Sequence, residues 1–497
     1  MLPQTSNVAE AILAGGRPDA PAVWFGREVI TYDALRRQAG SVGTLLLRQG
    51  LCRGDRVGLL AENSPLFIAG YLGAMRAGLC AVPLPTDCDA EAFARYAASL
   101  GMRCVLVSPR ILPRIEAAAA NLGVRLIGEL PAGLSAAEAL TAADVDPCVD
   151  LAAIMLTSGS TGEPKGVMVT HRNIECNTHD ILSYMHLLPA DRAMTVLPFY
   201  YCYGASLMHT HLMAGASLVL NNRFLFPEKV LDEIDEKQCT GLAGVPSTYQ
   251  ILLRKTRLAQ RRFPSLRWLQ QAGGKLPDPF LRELRQALPD ARLFVMYGQT
   301  EATARLSYLP PERLDEKLGS VGRGLPNTRL EVIKEDRAPV RPGSGEVGEI
   351  VASGENIARG YWNDTEETAR YFRGGKLYTG DMARIDADGY IFIVERARDF
   401  IKSAGNRVSP KEIEDAIAEM PAVVEVAVVG VPDELLGEAI RAFVVPTRPG
   451  AIAADDVRSH CLKRLPNYKV PEHVRFLPAL PKTSNGKVAK AELRAFG

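Results

Sequence analysis

Residues 156–167 read Leu-Thr-Ser-Gly-Ser-Thr-Gly-Glu-Pro-Lys-Gly-Val and concentrate hydroxyls, glycines and one lysine in a loop-length segment. Such a segment suits phosphate. Backbone N–H groups approach an anion closely where no Cβ intervenes, as at Gly159 and Gly162; Thr157, Ser158, Ser160 and Thr161 add hydroxyl donors, and Lys165 supplies charge. The mononucleotide P-loop has another order, Gly-x-x-x-x-Gly-Lys-Ser/Thr opening into a helix, whereas here Lys165 precedes Gly166 and a strand is expected to follow.

Four other places carry residues suited to ligands. An apolar run over 293–296 delivers Tyr297, Gly298, Gln299, Thr300 and Glu301 at its carboxyl end, where open α/β sheets hold their ligands. Gly273, Gly274 and Lys275 end a strand expected over 266–272, and the glycines permit close backbone approach. Thr379, Gly380 and Asp381 put a carboxylate in a turn, and residues 481–488 put Lys487 beside Gly486 near the C-terminus. Singly these are ordinary: an Asp at a strand-end turn satisfies the turn, and a lysine beside a terminal glycine is solvated surface.

In this order, the motifs resemble the adenylate-forming superfamily of acyl- and aryl-CoA synthetases, nonribosomal peptide adenylation domains and luciferase. The resemblance covers residues 30–493 and implies attack of a carboxylate on the α-phosphorus of ATP, giving an acyl-adenylate and pyrophosphate. By that resemblance the 157–165 loop holds phosphates, and Gly273, Gly274 and Lys275 line the adenine edge. Tyr297 stacks on adenine beside Gly298 and Gln299, Thr300 meets the α-phosphate, Glu301 helps hold Mg²⁺, and Asp381 and Arg396 meet the ribose. Lys487 is the implied catalytic lysine. Tyr200, Tyr201, Cys202, Tyr203, Val245, Ala302 and Ala304 wall the acid pocket. After adenylation, the C-terminal domain would swing about a hinge at Arg398, bringing Lys402 and Gly405 in for transfer to the thiol of CoA or of a phosphopantetheine arm.

The chain departs from the pattern in places. Tyr201 stands where the family often has His, and Glu395 where it has Gly; the pivot, usually Asp or Lys, falls on Arg398. Cys202 stands where amino-acid-activating members carry an Asp that pairs with the ammonium, and a thiol cannot replace that carboxylate. The expected acid is therefore fatty or aryl, without an α-ammonium, in a mainly apolar pocket. Arg305, near the pocket floor, either selects a second carboxylate or polar tail or forms a structural ion pair.

These motifs need a scaffold. Thr31 reads as the N-cap of a helix running to about residue 50. Strands over 56–61, 80–84 and 104–107 alternate with helices over 66–77 and 90–100, the rhythm of a parallel sheet. The alanine-rich stretch 117–146 is read as strand and loop. Strands are expected over 150–156, 166–170 and 195–198, with helices over 173–185, from the 199–204 aromatic run to about 215, and over 247–254. Alternating apolar residues over 319–399 suggest a small antiparallel barrel-like unit. Ser409, Pro410 and Glu412 read as a capping box opening an α+β unit with strands over 425–431 and 439–445 and a helix over 455–465. The expected fold is α/β: an N-terminal domain over 1–396 with parallel-sheet subdomains and the barrel-like unit, and a small mobile α+β domain over 397–497.

The chain of 497 residues carries 58 Lys and Arg against 57 Asp and Glu, a net charge of +1, so no global field favours nucleic acid or an anionic membrane. No run is apolar and long enough to span a bilayer, and no leader pattern opens the chain, so a cytoplasmic location is expected, as monomer or homodimer. Nine scattered cysteines without C-x-x-C spacing argue against a disulfide framework or zinc site. Three activities fit: a ligase forming acyl- or aryl-CoA, a free-standing enzyme loading an acyl or peptidyl carrier protein, and a non-catalytic ATP-binding switch. Retention of Lys487 and of the acid pocket disfavours the third.

Overall fold

The first sheet is built from short apolar strands that alternate with helices. A computed structural model describes residues 6–128, 140–157, 164–396, 400–403, 406–433, 435–483 and 486–496. Its six-stranded sheet runs Arg125–Ile127, Cys104–Val107, Arg56–Leu60, Cys80–Pro83, Leu151–Thr157, Lys165–Thr170, parallel except for the last pair. Cys80–Pro83 and Cys104–Val107 are buried throughout, as strands covered on both faces must be. The intervening helices start where short polar side chains accept orphan amides: Ser64 from Phe67 N at 3.2 Å, Asp89 from Ala92 N at 2.8 Å. Thr31 caps the helix Tyr32–Arg48 in the same way.

A nine-stranded sheet forms the second layer. Six strands are parallel, in the order Arg292–Tyr297, Trp268–Gln271, Gly241–Gly244, Arg192–Thr195, Ser217–Leu220, Pro21–Phe25, with antiparallel strands on both edges. The helix Cys202–Met213 is buried from Cys202 to Leu212, and packs on the helix His171–Met185 in a core that joins residues of both sheets. A five-stranded antiparallel sheet follows, containing Thr328–Ile333, Gly348–Gly354, Phe372–Arg373, Lys376–Ile385 and Ile391–Arg396. The last sheet, built around Val423–Asp433 and Gly437–Pro446, carries the helices Pro410–Ala418 and Ala454–Leu462.

Several local expectations are corrected. The alanine-rich stretch begins inside a helix, Leu112–Leu122, which ends at Gly123 in the left-handed region (φ 66°) before the strand Arg125–Ile127. The strand expected over 195–198 is Arg192–Thr195. Asn63 takes up the backbone beyond it, donating from Nδ2 to Leu197 O and accepting from Phe199 N, each at 2.8 Å. Ser409 makes no capping bond; its hydroxyl lies 3.5 Å from Val394 O, and Glu412 pairs with Lys469, so only Pro410 at the first turn survives of that motif. A capping box exists instead between Thr170 and Asn173. Seven of the nine cysteines are buried, and only Cys52 and Cys148 are exposed.

Candidate active site

Three neighbouring parallel strands, Gly241–Gly244, Trp268–Gln271 and Arg292–Tyr297, deliver Val245, Gly273 and Tyr297 to one edge of the nine-stranded sheet. Gly273 has φ 86°, and a Cβ there would lie 3.0 Å from Val245 Cγ1, 3.4 Å from Tyr201 Oη and 3.8 Å from Lys487 Cε. So the fold joins four positions far apart in sequence. Lys487 comes from a turn held by Gly486 N to Thr483 O (2.8 Å) and Thr483 N to Lys487 O (2.8 Å), and Ser247 Oγ donates to Gly486 O at 3.2 Å. Its Nζ lies 5.4 Å from the Tyr201 ring centroid.

The chain turns sharply after Tyr297. Thr300–Ala302 is a single 3-10 turn, and Thr303 follows at φ 66°, a strained value for a β-branched residue, with its hydroxyl on Asn356 O at 2.8 Å. The turn aims Thr300 Oγ1 at Cys202 Sγ (3.3 Å) and leaves Glu301 accepting from Tyr361 Oη (2.8 Å). The Tyr361 ring lies 5.3 Å from Lys165 Nζ, which is ion-paired with Glu367. Lys165 opens its strand opposite Thr157, so the two ends of the segment expected to bind phosphate are paired. Tyr297 Oη donates to Asp381 Oδ2 at 2.7 Å, and Asp381 lies opposite Arg396 across adjacent strands. Gln299 Nε2 is buried with no hydrogen-bond partner among the described residues, as expected of a donor reserved for a ligand.

Of the residues expected to wall the acid pocket, Tyr200, Tyr203, Val245, Ala302 and Ala304 are all buried. Tyr203 Oη donates to Gln270 O at 3.0 Å. Burial raises the Cys202 thiol pKa, against the Thr300 hydrogen bond and the charges of Lys487 and Arg305. Beside Cys202, a small cavity is lined by Tyr71, Met155, Val169, Ile174 and Ala205 together with Asn177, Thr178, Ser206, His209 and Thr303, so apolar and polar side chains share its wall. Arg305 forms no ion pair among the described residues; Nη1 donates to Tyr184 Oη at 2.6 Å and the guanidinium lies 5.4 Å from the Tyr203 ring. Its structural ion pair is not found.

Other positions fall elsewhere. Lys275 is ion-paired with Asp415 (2.6 Å) and Asp278 (3.5 Å), joining the loop of the large domain to the helix Pro410–Ala418. Lys402 is exposed on the strand Ile401–Ser403. Ser158, Gly159, Ser160, Thr161, Gly162, Arg398 and Gly405 lie outside the described residues. Glu301 is a single carboxylate, and no cluster of three His, Cys, Asp or Glu exists among the described residues. That donor set fits Mg²⁺ held by one carboxylate together with phosphate oxygens and water. Sequence reading missed Tyr361, Glu367 and Ser247. Their partners lie 60, 202 and 239 residues away, and no spacing signal spans such gaps.

Residues 12–362 match the family model described as AMP-binding enzyme, and residues 412–487 match AMP-binding enzyme C-terminal domain. The chain is 34% identical over 486 residues to a feruloyl-CoA synthase of Amycolatopsis sp., covering 96% of both. It superposes on the anthranilate CoA ligase AuaEII in complex with anthranoyl-AMP with a TM-score of 0.91 at 26% identity, covering 99% of this chain and 98% of that one. The ATP-bound MatB of Rhodopseudomonas palustris gives a TM-score of 0.89 at 31% identity, covering 99% of both chains. With the motifs in order and both family models matched, the chain belongs to the AMP-binding enzymes as an adenylate-forming acid–thiol ligase.

Proposed function

We propose that the protein activates a carboxylic acid of fatty or aryl type with ATP and passes the acyl group to CoA. The observation that carries this reading is the position of Lys487, whose Nζ stands over Tyr201 while its Cε approaches Gly273. Carboxylate and triphosphate repel one another, and the reaction at phosphorus needs positioned charge more than covalent help. Lys487 bridges the attacking carboxylate and the α-phosphate oxygens, and Thr300 donates beside it. Lys165 neutralises the departing pyrophosphate. Glu301 would hold Mg²⁺, which would supply further charge neutralisation when bound. Tyr297 and Gln299 face adenine, with Gly273, Gly274 and Lys275 along its edge, and Asp381 with Arg396 takes the ribose.

The acid carries no α-ammonium, because Cys202 is a buried thiol and an unpaired buried ammonium costs several kcal/mol. In the second half-reaction the domain over 397–497 turns about Arg398, withdrawing Lys487 and presenting Lys402 and Gly405 to the incoming thiol. CoA is the acceptor favoured by the likeness to a feruloyl-CoA synthase; a carrier-protein arm offers the same thiol.

Carboxylate-dependent pyrophosphate exchange tests the first step. Lys487→Ala is expected to abolish exchange while ATP still binds; exchange at the wild-type rate in that variant refutes the assignment. Fatty and aryl acids are expected to outpace α-amino acids, and free CoA, assayed against an acyl carrier protein, identifies the acceptor.

A further inference from the structure

We propose that Arg305 receives a second carboxylate at the far end of the acid, making the enzyme selective for dicarboxylic over monocarboxylic acids. This deepens the ligase reading and rests on it. Arg305 is 2% exposed, and a buried guanidinium without a counter-charge is costly. Its neighbours are neutral: Nη1 donates to Tyr184 Oη and touches Met296 Sδ, and Tyr203 lies under the guanidinium. The buried carboxylates of the adjacent helix are engaged elsewhere, Glu175 with Arg172 and Asp180 with Asn327. No carboxylate forms an ion pair with Arg305 among the described residues, and its Nε and Nη2 make no hydrogen bond there. A guanidinium with one edge unused is shaped for bidentate contact with a carboxylate.

The position suits such an acid. Three successive residues open the helix Cys202–Met213: Lys487 stands over Tyr201, the Thr300 hydroxyl meets Cys202, and Arg305 stands over Tyr203. One cation thus stands on the reacting side of Cys202 and another beyond it.

The test uses the full chain and matched acids, glutaric against pentanoic and 4-carboxycinnamic against 4-methylcinnamic, in pyrophosphate exchange. Wild type is expected to favour the diacid by at least about tenfold in kcat/KM. Arg305→Gln is expected to remove that preference by raising KM for the diacid far more than KM for the monoacid, and Arg305→Lys to retain part of it. A wild-type preference for monoacids, or an Arg305→Gln enzyme with unaltered selectivity, overturns the proposal and leaves the ligase reading standing. Should Arg305→Gln fail to fold, the wild-type ratio and Arg305→Lys decide. Absence of exchange with every acid overturns both readings.

Discussion

Asp381 is 5% exposed and holds the Tyr297 hydroxyl through Oδ2, so one carboxylate orients the aromatic ring from a position paired with Arg396 in the ladder. Removing it takes away charge-assisted hydrogen bonds to a ligand and leaves Tyr297 without its acceptor at Asp381. Asp381→Ala is expected to weaken ATP binding by about 1.5 to 3 kcal/mol. An unchanged ATP dissociation constant, measured by calorimetry, counts against the ribose assignment. Glu301 and Lys165 are coupled through Tyr361 and Glu367, so the cation and the carboxylate proposed to meet the phosphates are both held by protein partners.

At the scale of elements, the turn leaving Arg292–Tyr297 controls the site. Leu306 N returns to Tyr297 O at 2.9 Å, closing the chain on itself around Gly298. A Cβ at Gly298 would lie 1.9 Å from Ala304 O and 2.9 Å from Arg305 Cα, contacts that only backbone movement relieves. Gly298→Ala is therefore expected to cost about 1 to 3 kcal/mol of stability and to weaken ATP binding together with acid selectivity. Denaturant midpoints and ATP titration check this; an unaltered midpoint means that the turn accommodates the methyl and that its tightness does not define the site.

Across the whole molecule, the helices between the two large sheets bury three histidines. Burial lowers the pKa of His171 to about 4, of His209 to about 3 and of His211 to about 4. The folded state keeps them neutral while the unfolded chain protonates them below about pH 6.5, so unfolding takes up protons on acidification. Each contributes a stability slope of ~1.4 kcal/mol per pH unit between its two pKa values, and stability falls as the pH drops. Tm is expected to decline from pH 7 to pH 5, and His209→Phe to flatten that decline by about one proton's slope. Identical slopes in both proteins refute the assignment to His209.

The sequence alone determined the chemistry through local order. Tyr297 to Ala302, Thr379 to Asp381 and the Lys487 segment are short runs whose residue types are legible without contacts, and short apolar strands between helices announce a parallel sheet whatever packs on it. It also misread what neighbours decide: the helix Leu112–Leu122, hidden by alanine, and the capping at Ser409, where Glu412 is drawn to Lys469. Only the tertiary structure decided which groups meet. Lys487 reaches Tyr201 and Gly273 because a small domain docks its loop on Ser247, and Lys165 finds Glu367, 202 residues later, because the helix Thr365–Tyr371 folds back on it. Arg305 shows the limit most clearly. Its charge is written in the chain, but whether that charge has a partner depends on every segment packed around it, and those segments supply only neutral groups among the described residues.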